Sequence, residues 1–191
     1  MTVRRLLDER SGASRAGAST TVGETDVETA RFASLIAATI TMGLVSGLFY
    51  GFSVSVMPGL RRTDDRTVVE VMQRINVAIL NGWFLLGYVG SLVFTGLALA
   101  LCLPAGGRAV LPAVIGAFVC CVLAMGITAR VNIPLNNALE QAGPVDRMAD
   151  PSAVRQAFEQ PWVRANVWRT VLSTAAFGLL AWALVLHGQS S

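Results

Sequence analysis

The stretch FASLIAATITMGLVSGLFYGFSVSVMPGL, residues 32–60, carries no charged side chain, and its reading decides the fold. A bilayer core about 30 Å thick takes roughly 20 apolar helical residues to cross. Three more charge-free runs follow, at 75–107, 109–129 and 170–191, each at least 21 residues long. Together they predict four transmembrane helices over 33–56, 77–102, 110–130 and 163–186. Small residues recur inside them, as in Gly43, Ser46, Gly47 and Gly51, or Gly87, Gly90 and Ser91. Such residues let helices pack closely in lipid. Pro104 to Arg108 reads as a tight turn, which makes helices two and three an antiparallel hairpin. The expected fold class is all-α: a four-transmembrane-helix antiparallel bundle with a disordered N-terminal tail.

That tail is residues 1–30, rich in Ser, Thr, Gly, Ala and charge, with too few large apolar groups to fold alone. Residues 31–191 form the expected integral membrane domain. The first helix begins after residue 30, so a cleavable signal peptide is not expected. Composition agrees with this division. The 191 residues are 53% hydrophobic and 14% charged, against about 25% charged in a soluble domain. This argues against a soluble enzyme, a nucleic-acid binder and a disordered protein. All 15 cations are arginine. The absence of lysine removes Schiff-base chemistry and a P-loop. Cys102, Cys120 and Cys121 form no CxxC pair and read as small core residues. His187 is the single histidine, and a haem or zinc site needs more ligands than this chain offers. No cofactor and no metal are therefore expected.

Four spans put the N-tail, the Pro104 turn and the C-tail on one membrane face. The longer loops, 57–76 and 131–162, share the other. Arginines near the membrane are more numerous on the long-loop face, which favours that face as cytoplasmic in a multi-pass protein of the cell membrane. The sequence leaves the oligomeric state open.

Amides converge on the same face. Gln73 and Asn76 precede helix two, and Asn81 follows in its first turns. Asn132 and Asn136 lie four apart at the end of helix three, around Pro134. Met57-Pro58 closes helix one. Trp162, Asn166 and Arg169 fall at i, i+4 and i+7 around the start of helix four, on one helical face. Each has an ordinary structural reading: amides as caps or interhelical glue, prolines as helix stops, Trp162 as an interfacial anchor. Arg169 resists such a reading. It sits about 10 Å deeper than Trp162, where an arginine is costly unless it faces a polar interior. The spans contain no Asp or Glu, which weighs against a proton-coupled exporter.

Four stretches in register resemble the anthrone oxygenase family, a four-helix membrane domain: GFSVSVMPGL at 51–60, VMQRINVAILNGWF at 71–84, ARVNIPLNNAL at 129–139 and PWVRANVWR at 161–169. The resemblance implies cofactor-free oxidation of polyketide anthrones to anthraquinones, an activity that belongs to some members and transfers less safely than the fold. An anthrone has an acidic methylene, and its anion reacts with O2 directly. The protein then supplies a hydrophobic slot, a base and donors for the developing oxyanion. On this reading Arg169 stabilises the anion and Asn132, Asn136 and Asn166 donate hydrogen bonds. Trp162, Trp83, Met57, Gln73, Asn76 and Asn81 bind substrate. The base stays open among Glu140, Glu159, Asp64, Asp65 and Glu70, or ionisation rests on Arg169 itself. The expected partners are the lipid bilayer, a hydrophobic aromatic small molecule and O2. The alternative is a non-enzymatic multi-pass protein, a small-molecule binder or an assembly partner.

Overall fold

Apolar sequence becomes four long helices in the computed structural model, over residues 25–60, 82–102, 111–141 and 151–189, all long and apolar enough to cross a membrane. The structure describes the backbone of residues 3–103 and 107–190, with side chains at 23, 25–103 and 107–189. For the tail expected over residues 1–30, side chains are thus described only at Gly23 and from Thr25 onward. Residues 104–106 of the expected turn lie outside the described residues. The chain is an all-α, multi-pass membrane protein.

The first span is α1 (Val3–Gly51), which continues through a π-helical turn, Phe52–Val56, into α2 (Met57–Leu60). Next come α3 (Asp65–Ala78) and α4 (Gly82–Cys102). The third span is α5 (Leu111–Ile127), a second π-helical turn, Thr128–Asn132, and α6 (Ile133–Gln141). The last is α7 (Pro151–Ser190).

Several boundaries differ from expectation: the first span already begins at Thr25, inside the expected tail, and others shift for local reasons. The second span starts at Gly82 rather than residue 77, because the Asn81 side chain caps α4. It accepts from the backbone N–H groups of Trp83 at 3.0 Å and Phe84 at 3.1 Å. The fourth helix starts at Pro151, twelve residues before the expected 163, where Asp150 accepts from the N–H of Ala153. Pro134 does not stop its helix, which runs on to Gln141, whereas the helix that holds Pro58 ends soon after it, at Leu60. A proline removes an N–H and crowds the carbonyl four residues back. Here each follows a π-helical turn, closed by Met57 N–H to Phe52 O and by Ile133 N–H to Thr128 O. The wider turn takes up the misfit, and beyond Pro134 the helix runs on. Single π turns of this kind recur at functional sites.

The spans form a ring in which α1 packs on α4 and α7, and α5 packs on α4 and α7. Antiparallel order is visible at the tail face. Arg31 Nε donates to Leu101 O at 3.0 Å, and Phe32 stacks on His187 at 5.5 Å. Midway, the Ser46 and Thr174 hydroxyls meet at 2.9 Å. The core of this half is Leu35, Ala38, Ala98, Val114, Ala117, Ala176, Leu180 and Ala183, all fully buried. Ile40, Leu44, Val93, Val119 and Trp182 point outward, as lipid-facing residues do.

At the other face a second core, including Phe52, Met57, Val69, Met72, Leu139, Phe158 and Trp162, ties α3 and α6 to the start of α7. Ion pairs lace its rim. Glu159 holds Arg61 at 3.1 Å and Arg155 at 2.6 Å, and Arg155 also reaches Asp65 at 2.9 Å.

Candidate functional site

Between the two cores the helices part around a cavity of about 690 Å³. That size suits a small organic ligand. Its walls are apolar and aromatic: Leu48, Phe49, Phe52, Ile75, Phe84 and Trp162. Its polar lining comes from α3 (Asn76), α4 (Tyr88), the second π turn (Thr128, Asn132), α6 (Asn136, Asn137, Glu140) and α7 (Asn166, Arg169). Thr128 and Asn132 stand four residues apart across the π turn, and both face the cavity.

Arg169 is at the centre, 6% exposed. Its guanidinium lies 4.2 Å from the centroid of Phe49 and 5.4 Å from that of Trp162. One Nη donates to Asn166 Oδ1 at 2.7 Å, the other to the Thr128 hydroxyl at 3.4 Å. Among the described residues no carboxylate pairs with it. Asn166 is fixed from three sides. Its amide nitrogen donates to Phe49 O and to the Ser53 hydroxyl, both at 2.9 Å, beside the first π turn. Trp162 Nε1 donates to Asn136 Oδ1 at 2.9 Å, locking indole and amide together.

Other polar atoms are unmatched. Asn76 Nδ2, the Tyr88 hydroxyl, both polar side-chain atoms of Asn132, and Arg169 Nε are buried without a hydrogen-bond partner. Every one belongs to a residue lining this cavity. A buried unsatisfied polar atom costs about 1–3 kcal/mol, and native proteins carry few of them. Five in one cavity form a surface of complementary groups: donors predominate, an acceptor stands at Asn132, and a cation lacks a counter-ion. The arrangement suits an acceptor-rich, anionic or polarisable ligand with a flat apolar body.

Of the residues singled out from sequence, Arg169, Asn166, Asn132, Asn136, Trp162 and Asn76 line this cavity together. Four others lie apart from it. Gln73 donates to Leu139 O at 2.9 Å and Gly143 O at 3.0 Å, stapling α3 to α6. Asn81 is the cap of α4. Met57 is buried in the second core. Trp83 is 85% exposed. Tyr88, Thr128 and the wall residues Phe49, Phe52 and Phe84 join the site without having been singled out. A lone hydroxyl or ring inside an apolar helix carries no periodic signal, and only the packing of α4 on α1 aims Tyr88 inward.

The structure also sorts the five carboxylates. Glu159 and Asp65 are tied to arginines, and Glu70 pairs with Arg74. Asp64 caps α3, and hydrogen bonds from the side chain and backbone of Thr67 hold its carboxyl below the usual range. Glu140 alone of the five lines the cavity, at its exposed rim. Among the described residues, no group of three or more His, Cys, Asp or Glu is placed to hold a metal ion.

No curated protein and no solved structure matches the chain. A family model described as anthrone oxygenase matches residues 83–179. That segment carries Tyr88, Thr128, Asn132, Asn136, Glu140, Trp162, Asn166 and Arg169, most of the polar lining of the cavity. With half of its length matched, the chain belongs to the anthrone oxygenase family.

Proposed function

We propose that the protein is a membrane oxygenase acting without a cofactor on an aromatic polyketide or another enolisable small molecule, in the cavity around Arg169. The observation that carries this reading is a buried, aromatic-stacked guanidinium with no carboxylate partner among the described residues, set among unmatched donors. An uncompensated cation there is expensive. It is repaid when a bound ligand develops negative charge on oxygen.

The chemistry follows from those groups. A planar substrate slides between Phe49, Phe52, Phe84 and Trp162 with its carbonyl oxygen toward Arg169. Loss of a methylene proton gives an anion spread over the rings, with charge on that oxygen. Fixed donors aimed at developing charge are the strongest single lever a site of this kind has. The carbanion adds O2 to give a peroxide anion, which is protonated to the hydroperoxide. Loss of water leaves a new carbonyl. The balance is one CH2 and O2 in, one C=O and H2O out. Arg169 and Asn132 hold the oxyanion, Asn166 orients the Arg169 guanidinium, Asn136 and Trp162 shape the slot, and Asn76 adds a donor from α3. On this reading the cavity face is the long-loop face, turned to the cytoplasm of a cell-membrane protein, and O2 and an apolar substrate arrive through the bilayer.

Oxygen uptake by detergent-solubilised protein supplied with an emodin-type anthrone tests the proposal. The expected result is O2 consumption equimolar with quinone formed, above the rate without protein. Tight anthrone binding with no uptake would instead support a non-enzymatic small-molecule binder.

A further inference from the structure

We infer that Glu140 is the general base, taking the methylene proton at the cavity rim. The inference deepens the oxygenase reading and rests on it. Glu140 is the single acidic side chain among the residues that line the cavity. It makes no ion pair and no side-chain hydrogen bond among the described residues, whereas Glu159, Asp65 and Glu70 are all bound to arginines. The other polar groups of the lining are neutral amides, hydroxyls and a guanidinium, none of which is an anionic base.

Its position suits the role. Asn132, Asn136 and Glu140 follow one another at intervals of four and all face the cavity. Eight residues of rise place Glu140 about 12 Å along the helix from Asn132. The base and the oxyanion donors therefore stand at opposite ends of the slot, with room for a flat ring system between them. The C–H bond breaks at the rim, and its proton forms an O–H bond on the Glu140 carboxylate. The electron pair passes into the rings and toward the carbonyl oxygen at Arg169. Because Glu140 is exposed, it returns its proton to water at the membrane face and is ready for another turnover.

Anaerobic hydrogen–deuterium exchange at the anthrone methylene isolates this step from the reaction with O2. Wild-type protein in D2O is expected to speed the exchange. Glu140→Gln should slow it by about a hundredfold or more, the usual weight of a general base. The same variant should bind the product anthraquinone, which has no methylene proton, as the wild type does; this shows that the cavity is intact. Acetate should restore part of the exchange to Glu140→Ala, since the rim is open to small carboxylates. Exchange at the wild-type rate in Glu140→Gln would overturn the assignment to Glu140 while leaving the oxygenase reading standing. A wild-type protein that neither exchanges the methylene nor consumes O2 would overturn the oxygenase reading, and Glu140's role with it.

Discussion

The two halves of the bundle use the same four helices to opposite ends. Toward the tail face, Ala38, Ala98, Ala117, Ala176 and Ala183 let backbones close until nothing separates them. A Cβ placed on Gly43 would stand 3.0 Å from the Phe177 ring, and one on Gly116 would stand 3.0 Å from Leu179. Toward the long-loop face, two π turns, aromatic rings and amides prop the helices apart around a cavity. In the closed half the buried Ser46, Thr95 and Ser173 hydroxyls all find partners. The open half holds the buried polar atoms that find none. A chain selected for stability alone would have filled that space with leucine. Stability and function are thus separated along the membrane normal, and substitutions in the two halves should fail differently.

Arg169 is the sharpest place to test that separation. Arg169→Ala should cost a hundredfold or more in anthrone turnover, about the loss seen on removing one oxyanion donor elsewhere. Arg169→Lys should recover only part, because an ammonium lacks the planar fork and stacks less well on Phe49 and Trp162. Arg169→Met should be equally inactive, yet melt in detergent no lower than wild type. Removing a buried unpaired charge relieves the fold of its desolvation cost. Melting far below wild type in Arg169→Met would make Arg169 a structural post and dissolve the contrast between the halves.

Asn132 should behave the same way on a smaller scale. It is 1% exposed, and neither of its amide atoms is bonded. Asn132→Leu should lower anthrone affinity by about tenfold, the loss of roughly one good hydrogen bond, with stability unchanged or raised. Gln73 is its foil, because its amide nitrogen satisfies two carbonyls. Gln73→Leu should lose about 1–3 kcal/mol of stability while the folded protein binds anthrone nearly as before. Isothermal titration and thermal melts on the same preparations separate the two outcomes.

In the closed half the prediction reverses. Ala176 is fully buried where α7 meets α1 and α5. Ala176→Leu should cost about 1–3 kcal/mol by overpacking, and its remaining folded fraction should turn over anthrone at the wild-type rate per molecule. A loss of activity without a loss of stability would mean that the halves are coupled through α7.

What could be read from the sequence follows the range over which each feature is determined. The spans were legible because hydrophobicity is a property of the run itself. Trp162, Asn166 and Arg169 were legible as a face because an uninterrupted helix preserves the 3.6-residue period. The π turns were not legible, since Pro58 and Pro134 by themselves read as stops. Asn81 and Gln73 carry the same chemistry as Asn76 and Asn132, and only their tertiary neighbours decide whether an amide serves backbone or cavity. Glu140 was one acid of five until Arg61, just past α2, and the arginines on α3 and α7 had claimed others.

Trp83 gives the smallest expected effect and bears on the outer edge of the contrast. It opens α4 beside Phe84, a cavity-wall residue, yet its ring is 85% exposed while its backbone N–H is held by Asn81. An indole so placed at the end of a span has the apolar body and polar tip of an interfacial anchor. Trp83→Ala should therefore change anthrone turnover by no more than about twofold, as surface substitutions usually do. Trp162→Ala frees Asn136 and strips a face from Arg169, and should cost far more. Fluorescence distinguishes the two tryptophans directly. With the other tryptophans replaced by phenylalanine, brominated lipids should quench Trp83, and bound anthraquinone should quench Trp162. If anthraquinone instead quenched Trp83, or Trp83→Ala cost as much as Trp162→Ala, the cavity would extend past the α4 cap. Its boundary would then have to be redrawn to include the lipid-facing rim.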